Sequence, residues 1–527
     1  MAVQSPPQQE EYSIYTPAVR WIVLIALMAG TVMEVLDTSI VNVAVPEMMG
    51  NLGATLDQIS WVATGYIVAN VITLPLTGWL SLYFGRRRYL GASIIVFTVA
   101  SIFCGLSRSL NELIIFRILQ GIGGAALLST AQATLFEIFP PKQIGMVQAI
   151  FGVGIMVGPT VGPTLGGWIT DNYSWPWVFL INVPIGIVAS ILVLTFMKES
   201  KYHRKAAAVD VPGIVLLAVG IGALQTLLEK GNRENWFQSN LIAWLAFFAV
   251  AGLVAFVVWE LRCPNPVVNL HILKHRAFAA GTVFGMVLGF GLYGAIFVLP
   301  VYLQGLRHFT ANQTGWIMFP GGMATAFTLP ITGRLVTRVS PRRMVLFGAL
   351  GFIFSMWLMH SLTLQTSAGD LFWPLVLRGM AMGFLFLPLT MASLGSLVGK
   401  DIGAGTGLFN LARQLGGSAG IAFLSTLVDH RGDIHRATLV ERITPYNPVA
   451  LQWLHKVQLG LISKGSAYEV ARQQALKMAD QTVQGQAMVM AYSDAFLVIG
   501  AAFACALPLL LLFKKGRIKS VAGQGMH

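Results

Sequence analysis

"TLPLTG" at Thr73–Gly78 recurs as "TLPITG" at Thr328–Gly333, 255 residues further along the chain. In the same register Trp61 matches Trp316, Leu80 matches Leu335, and the pair Arg87-Arg88 matches Arg342-Arg343. Agreement at that many positions under one offset marks two parallel repeats. Many secondary transporters are built so, with the ligand site at the repeat interface near the bilayer midplane.

Composition agrees with a membrane chain. Of 527 residues, 55% are hydrophobic and 11% charged, where soluble proteins average about 25% charged. The mean hydropathy is +0.69. Spans of roughly 20 apolar residues number fourteen: 19–45, 60–80, 88–106, 110–137, 144–170, 177–197, 210–229, 239–261, 278–303, 314–335, 343–362, 371–397, 403–429 and 489–513. The first apolar run, about 27 residues, is too long for a signal-peptide core of 7–15 and reads as a retained span. Six spans per repeat leave two over, 210–229 and 239–261, lying between the halves. The expected fold is all-α with a six, two, six arrangement and two pseudo-symmetric six-helix bundles. The divisions are a tail at 1–18, a first bundle at 19–197, two inserted helices within 210–261, a second bundle at 278–513, and a tail at 514–527. The second bundle includes a polar outer stretch, 430–488, suited to an exposed helix running into the last span.

The basic residues choose the orientation. One set of connections holds Arg86, Arg87, Arg88, Lys142, Lys198, Lys201, Arg204, Lys205, Arg262, Lys274, Arg276, Arg338, Arg342, Arg343 and Lys400, and the final tail adds Lys514, Lys515, Arg517 and Lys519. The short connections opposite carry Arg108, Lys230, Arg233 and Arg307. The positive-inside rule therefore puts both termini in the cytoplasm. It also explains the pI of 9.8 without nucleic acid. Cys104, Cys263 and Cys505 have no paired spacing and read as ordinary small residues.

Charge inside the spans carries the chemistry. Glu34 and Asp37 lie in span 1, three residues apart and hence on one helix face. A charge near a helix centre costs roughly 2.5–3.5 kcal/mol on insertion scales. Burial and a like-charged neighbour both favour the protonated form, so the pair is expected to hold a proton and titrate as a unit. The alternative is a carboxylate that only ties helices together. Arg117 in span 4 cannot deprotonate and demands an acceptor, Asp37 or Glu34. Arg378 and Arg413 are the corresponding cations of the second half. Their candidate partners are carbonyls, Asn410, the first-half acids or an anionic substrate. Gly154, Gly158, Gly162 and Gly166 recur every four residues, a small-residue face that permits close helix approach. Pro159 and Pro163 each remove a helix hydrogen bond. Asn42, Trp61, Tyr66, Asn70, Tyr293, Phe297, Tyr302 and Gln304 are cavity candidates; aromatics with a few polar atoms suit amphipathic organic molecules, while an interfacial belt accounts equally for Trp61 and Tyr302.

Other classes are excluded by context. "GGSAG" at 416–420 fits the nucleophile-elbow pattern but lies in an apolar helix, without the strand-to-helix turn that chemistry needs. No Walker phosphate-binding string occurs, so ATP does not drive the chain directly. The expectation is no enzyme, no metal and no cofactor.

Five segments in order carry a family resemblance: "LDTSIVNVAVP" (36–46), "GWLSLYFGRRR" (78–88), "RILQGIGGA" (117–125), "GIMVGPTVGPTLGG" (154–167) and "NLARQLGGSAGIA" (410–422). Through them the chain resembles the major facilitator superfamily, and within it the fourteen-span drug:proton antiporters of the EmrB/FarB type. The resemblance implies a proton-driven exporter of hydrophobic compounds in a bacterial inner membrane, multi-pass, working by alternating access. It implies proton coupling at Asp37 and Arg117, to which Glu34, outside the first-span motif, is added from its place on the same helix face, and a conformational motif that includes Gly78, Gly85 and Arg86 beside the span-5 glycines and prolines. It further implies a periplasmic membrane-fusion adaptor and an outer-membrane channel as partners. The competing expectation is a proton-coupled carrier of one metabolite or fatty acid that acts without an adaptor. The loop motif usually carries an acid where this chain has Ser81, which removes the locking role of that carboxylate.

Overall fold

The computed structural model describes residues 15–200, 209–397, 401–441, 443–444 and 446–513. Residues 1–14 and 514–527, with Lys201, Arg204, Lys205 and Lys400, lie outside that set. The described residues are helical almost throughout. The first half comprises α1 (Pro17–Leu52), α2 (Leu56–Thr73), α3 (Thr77–Phe84), α4 (Arg86–Leu106), α5 (Leu110–Ile138), α6 (Pro141–Asn172), α7 (Trp177–Leu180) and α8 (Asn182–Phe196). Two helices follow, α9 (Val211–Lys230) and α10 (Asn240–Arg262). The second half comprises α11 (Arg276–Gly305), α12 (Ala311–Leu335), α13 (Pro341–Met359), α14 (Ala368–Leu394), α15 (Asp401–Glu441), α16 (Pro448–Ile462) and α17 (Tyr468–Ala506).

Among the described residues, twelve helical stretches are long and apolar enough to cross a membrane. The helices α12 and α15 fall outside that set because Gly, Thr and charged residues dilute their apolar content. Both are nonetheless packed among the other long helices: α12 against α6 and α14, α15 against α11 and α17.

Local sequence explains the helix ends. Thr55 and Thr310 each accept from the backbone three residues on, while Gln58 and Gln313 reach back to the cap, so α2 and α12 open with the same capping box. Pro75 ends α2, and a short 3-10 turn at Leu74–Leu76 links it to α3. Between α3 and α4, Gly85 has φ +86°, a conformation that glycine adopts without steric penalty.

The repeat read from "TLPLTG" reappears as a contact between halves. A Cβ on Gly78 would lie 2.7 Å from the Ala404 backbone, and one on Gly333 would lie 2.8 Å from the Ala149 side chain. Likewise the Gly407 position meets the Leu74 carbonyl oxygen at 2.8 Å, and the Gly152 position meets Leu329 at 3.4 Å. Each second contact is the first with its two partners exchanged between the halves, one moved forward and the other back by the same 255 residues. The α2–α3 segment thus meets α15 as α12 meets α6, and two pseudo-equivalent seams close the end that carries the basic loops. Toward the opposite end, Thr38 and Asn42 on α1 are exposed, and Thr38 lines the cavity between the halves.

The outer stretch 430–488 has its own architecture. At 1.5 Å per residue the 41 residues of α15 and the 39 of α17 extend about 60 Å, twice a hydrocarbon core of about 30 Å. Arg431 and His435 of α15 meet Asp494 of α17 at 3.3 and 2.9 Å, and Arg436 meets Asp480 at 2.7 Å. The Asp480 carboxylate raises the Arg436 guanidinium further into its charged range. Packed on α17, α16 completes a helical projection.

Because the Gly78 seam is backbone against backbone, a Gly78→Val substitution has no flexible side chain to displace. It should force the basic-loop end apart. Cysteine pairs across α3 and α15, measured by spin-label distance, should lengthen by several ångströms; unchanged distances would contradict this seam.

Candidate functional site

The five first-half helices α1, α2, α4, α5 and α8 converge on one buried ion pair. Arg117 Nη1 of α5 donates to Asp37 Oδ2 of α1 at 2.6 Å, with Asp37 0% and Arg117 1% exposed. Asp37 Oδ1 accepts from Gln120 Nε2 at 3.0 Å and from Asn182 Nδ2 at 2.9 Å. The guanidinium also donates Nε to the Val62 carbonyl at 3.0 Å and Nη1 to Gln120 Oε1 at 2.6 Å. Its face covers the Tyr66 ring, 4.2 Å from the centroid, an electrostatically favourable placement. Gln120 Nε2 reaches on to Ser101 of α4 at 2.7 Å. Three donors on one carboxylate supply what a buried charge requires. Asp37, and not Glu34, is the acceptor of Arg117.

Glu34 occupies a different environment one turn away. It is 8% exposed and lines a cavity of about 190 Å³ between the halves. Its Oε2 has no hydrogen-bond partner. Asn70 and the Arg413 guanidinium are its polar and charged neighbours, with Asp37 adding like charge. Gly124 leaves the room for this cluster: a Cβ there would lie 2.8 Å from Tyr66 Oη, 3.2 Å from Asn70 Nδ2 and 3.5 Å from the Glu34 side chain. Tyr66 Oη and Asn70 Nδ2 are themselves buried without partners.

The cavity draws Glu34, Thr38 and Pro159 from the first half and Tyr293, Arg378 and Arg413 from the second. Other candidates lie elsewhere. Asn410 donates to Gln132 Oε1 at 3.1 Å and so bridges α15 to α5. Asn42 is exposed and hydrogen-bonds the Thr38 carbonyl. Phe297 packs on the apolar core. Tyr302 is 0% exposed and donates to the Thr363 carbonyl at 2.7 Å, a core position that is neither cavity nor belt. Trp61 lies under the Lys230 ammonium, 4.4 Å from its ring centroid. Gln304 is exposed.

The glycine face of α6 packs on α1 beside both acids. Cβ atoms at Gly154, Gly158 and Gly166 would meet Val32, Val35 and Ile40 at 2.9, 2.7 and 2.8 Å, and one at Gly162 would collide with Ser39. The helix runs unbroken through Pro159 and Pro163. In the loop motif, Ser81 Oγ donates to the Thr77 carbonyl of its own helix at 2.6 Å and lies 3.4 Å from Thr130 Oγ1 of α5. Arg86 pairs instead with Glu137 at the end of α5, and Glu199 accepts from the Arg87 backbone at 3.3 Å. Sequence reasoning missed Glu137, Gln120, Asn182 and Ser101. Only Gln120 had a local signal, lying one turn beyond Arg117. Among the described residues no group of three or more His, Cys, Asp or Glu side chains could hold a metal.

Comparison with known proteins accords with this architecture. Residues 27–421 match the family model of the Major Facilitator Superfamily. The chain is 35% identical to the Multidrug export protein EmrB of Escherichia coli K12 over 508 residues, 96% of this chain and 98% of that one. It is 35% identical to the Fatty acid resistance protein FarB of Neisseria gonorrhoeae, covering 94% and 96% respectively. Among solved structures it resembles the proton:xylose symporter XylE (TM-score 0.61, 13% identity, 96% and 98% covered) and the human organic anion transporter MFSD10 (0.56, 16%, 95% and 100%). At those identities the likeness is one of fold.

Removing one partner of a buried ion pair costs about 3–5 kcal/mol. Arg117→Ala should therefore lower the thermal unfolding temperature of the detergent-purified protein markedly. Arg117→Lys should not restore it, because a compact ammonium lacks the planar fork that sets Nε on Val62 and Nη1 on Asp37 and Gln120. Full rescue by lysine would refute the geometry.

Proposed function

The chain belongs to the Major Facilitator Superfamily, and from that premise we propose that it exports hydrophobic and amphipathic compounds in exchange for protons. It is a multi-pass membrane transporter and not an enzyme. The observation that carries the reading is the pairing of two unlike acids one turn apart. Asp37 is fully enclosed by donors from Arg117, Gln120 and Asn182, while Glu34 faces the cavity with an unpartnered oxygen.

A proton on Glu34 relieves the cost of a half-satisfied buried charge. Loss of that proton leaves a carboxylate facing Arg413 across the two halves. Proton exchange at Glu34 thus changes the attraction between the bundles at the cavity, which is what alternating access needs. The Asp37–Arg117 pair supports the helix that carries Glu34, with Asp37 as the second acid of the coupled unit. Each inward proton supplies about 2.3 kcal/mol per 100 mV and about 1.4 kcal/mol per pH unit, enough for roughly a hundredfold substrate gradient.

The finer architecture is fourteen spans in a six, two, six plan. Support comes from the repeated seams: α15 stands to α2–α3 as α6 stands to α12, so the polar-diluted α12 and α15 take the places of spans. The basic connections support an orientation with both termini on the cytoplasmic side of a bacterial inner membrane. On the outer side, the projection of α15, α16 and α17 offers Tyr446, Val449 and Tyr468, each more than 60% exposed, to a periplasmic adaptor that leads to an outer-membrane channel.

Two experiments test these statements. In proteoliposomes, Glu34→Gln should abolish accumulation driven by an imposed pH gradient while preserving substrate counterflow; Asp37→Asn should reduce both at least tenfold. Gradient-driven accumulation by Glu34→Gln at the wild-type rate would overturn the proton role. Deleting Pro448–Ile462 with a short linker, which spares α15 and α17, should end co-purification of the adaptor and leave liposome transport intact. Retained co-purification would remove α16 from the docking surface.

A further inference from the structure

The inserted helix α9 reaches the cavity at its C-terminal end, where Glu229 lines it. On one side it runs parallel to α15, joined by Gln225 Nε2 to Ser418 Oγ and Asn232 Nδ2 to Ser425 Oγ, both at 2.8 Å and both 193 residues apart. Trp236 Nε1 adds a third bond to Thr426 at 2.8 Å. On the other side it meets α2: a Cβ on Gly222 would touch Ile72 at 3.2 Å, and Lys230 pairs with Asp57 at 3.3 Å. The helix therefore bridges the gap between the bundles, and its Glu229 lines the cavity.

The geometry points to Glu229 as the residue by which this carrier recognises the positive charge of an organic cation, an inference that rests on the cavity being the transport site. Among the described residues Glu229 makes no ion pair. Its charged neighbour is Arg233, one turn on and exposed to solvent. Its hydrogen-bond partner is the Gln225 amide at 3.4 Å, and Gln225, itself 0% exposed, keeps Oε1 without a donor. Glu229 is therefore the acceptor that α9 presents to the cavity, with the fully buried Gln225 one turn behind it, and a largely enclosed carboxylate without an ion pair gains free energy when a cation arrives. Tyr293 lines the same cavity and offers a ring face to a cation.

The cavity's cations do not cancel this carboxylate. Arg413 faces Glu34. Arg378 is 9% exposed and, among the described residues, makes no ion pair and keeps Nη1 without a hydrogen-bond partner, and it is the feature that would draw an anion instead. The two possibilities give opposite charge selectivity.

The test uses tetraphenylphosphonium and tetraphenylborate, nearly identical in shape and opposite in charge, with binding to the full-length purified protein measured by equilibrium dialysis. Wild type should favour the phosphonium. The phosphonium-to-borate affinity ratio should fall at least tenfold in Glu229→Gln and stay within about threefold of wild type in Glu229→Asp. A ratio unchanged in Glu229→Gln, or a wild type that prefers the borate, overturns the inference. A second measurement needs no variant: phosphonium, and not borate, should protect Glu229 of the wild type from carbodiimide labelling read by mass spectrometry, and equal labelling with both overturns it too. Export by wild-type proteoliposomes under a pH gradient is read separately, so failure of proton-driven export and failure of charge recognition at Glu229 are distinguishable.

Discussion

A guanidinium in the middle of a membrane bundle keeps its charge and must be met. Arg117 is met by Asp37, Gln120, the Val62 carbonyl and the Tyr66 ring together. That single requirement ties α1, α2 and α5 to one another, and Gln120 and Asn182 carry the network on to α4 and α8. The first bundle is in this sense built around a satisfied charge. Its satisfaction is what leaves Glu34, on the same helix and one turn away, as the acid with an oxygen still unpartnered.

The two halves meet differently. Their closed end is made of glycine and alanine backbone approaching backbone, in contacts duplicated under the repeat offset. Such seams hold largely by van der Waals contact, and the one guanidinium beside them, Arg86 near Gly403, is already paired with Glu137 of its own half, so they can form and part at modest cost. Charge crosses between the bundles at the cavity, where Glu34 faces Arg413. A protonation event there acts on the balance between two packed arrangements, with α9 bridging both.

Much of this was legible because membrane burial makes charge conspicuous. Asp37, Arg117, Arg378 and Arg413 stood out in the sequence since each is costly where it lies. The repeat of "TLPLTG" as "TLPITG" was legible too, but that its glycines are contact points between the halves came only from the packing. Neutral partners were not legible. Gln120, Asn182 and Ser101 cost little to place in a span, and their convergence depends on how α4, α5 and α8 pack. Nor does an aromatic or amide reveal which face of its helix it occupies, so Tyr302 and Asn410 read like cavity residues although one lies in the core and the other bridges α15 to α5. Glu229 was hidden by position, since a charge at the end of a span reads as belonging to the membrane surface. The apolar dilution of α12 and α15 has the same origin, as their Gly- and Thr-rich faces pack against protein.

The central claim is that Glu34 gives up its proton when substrate enters the cavity. Its most direct measurement is proton release on substrate binding by purified protein in weakly buffered detergent solution, followed with a pH indicator. The account predicts release from wild type and none from Glu34→Gln at saturating substrate. Equal release from both proteins, or none from wild type, would contradict it.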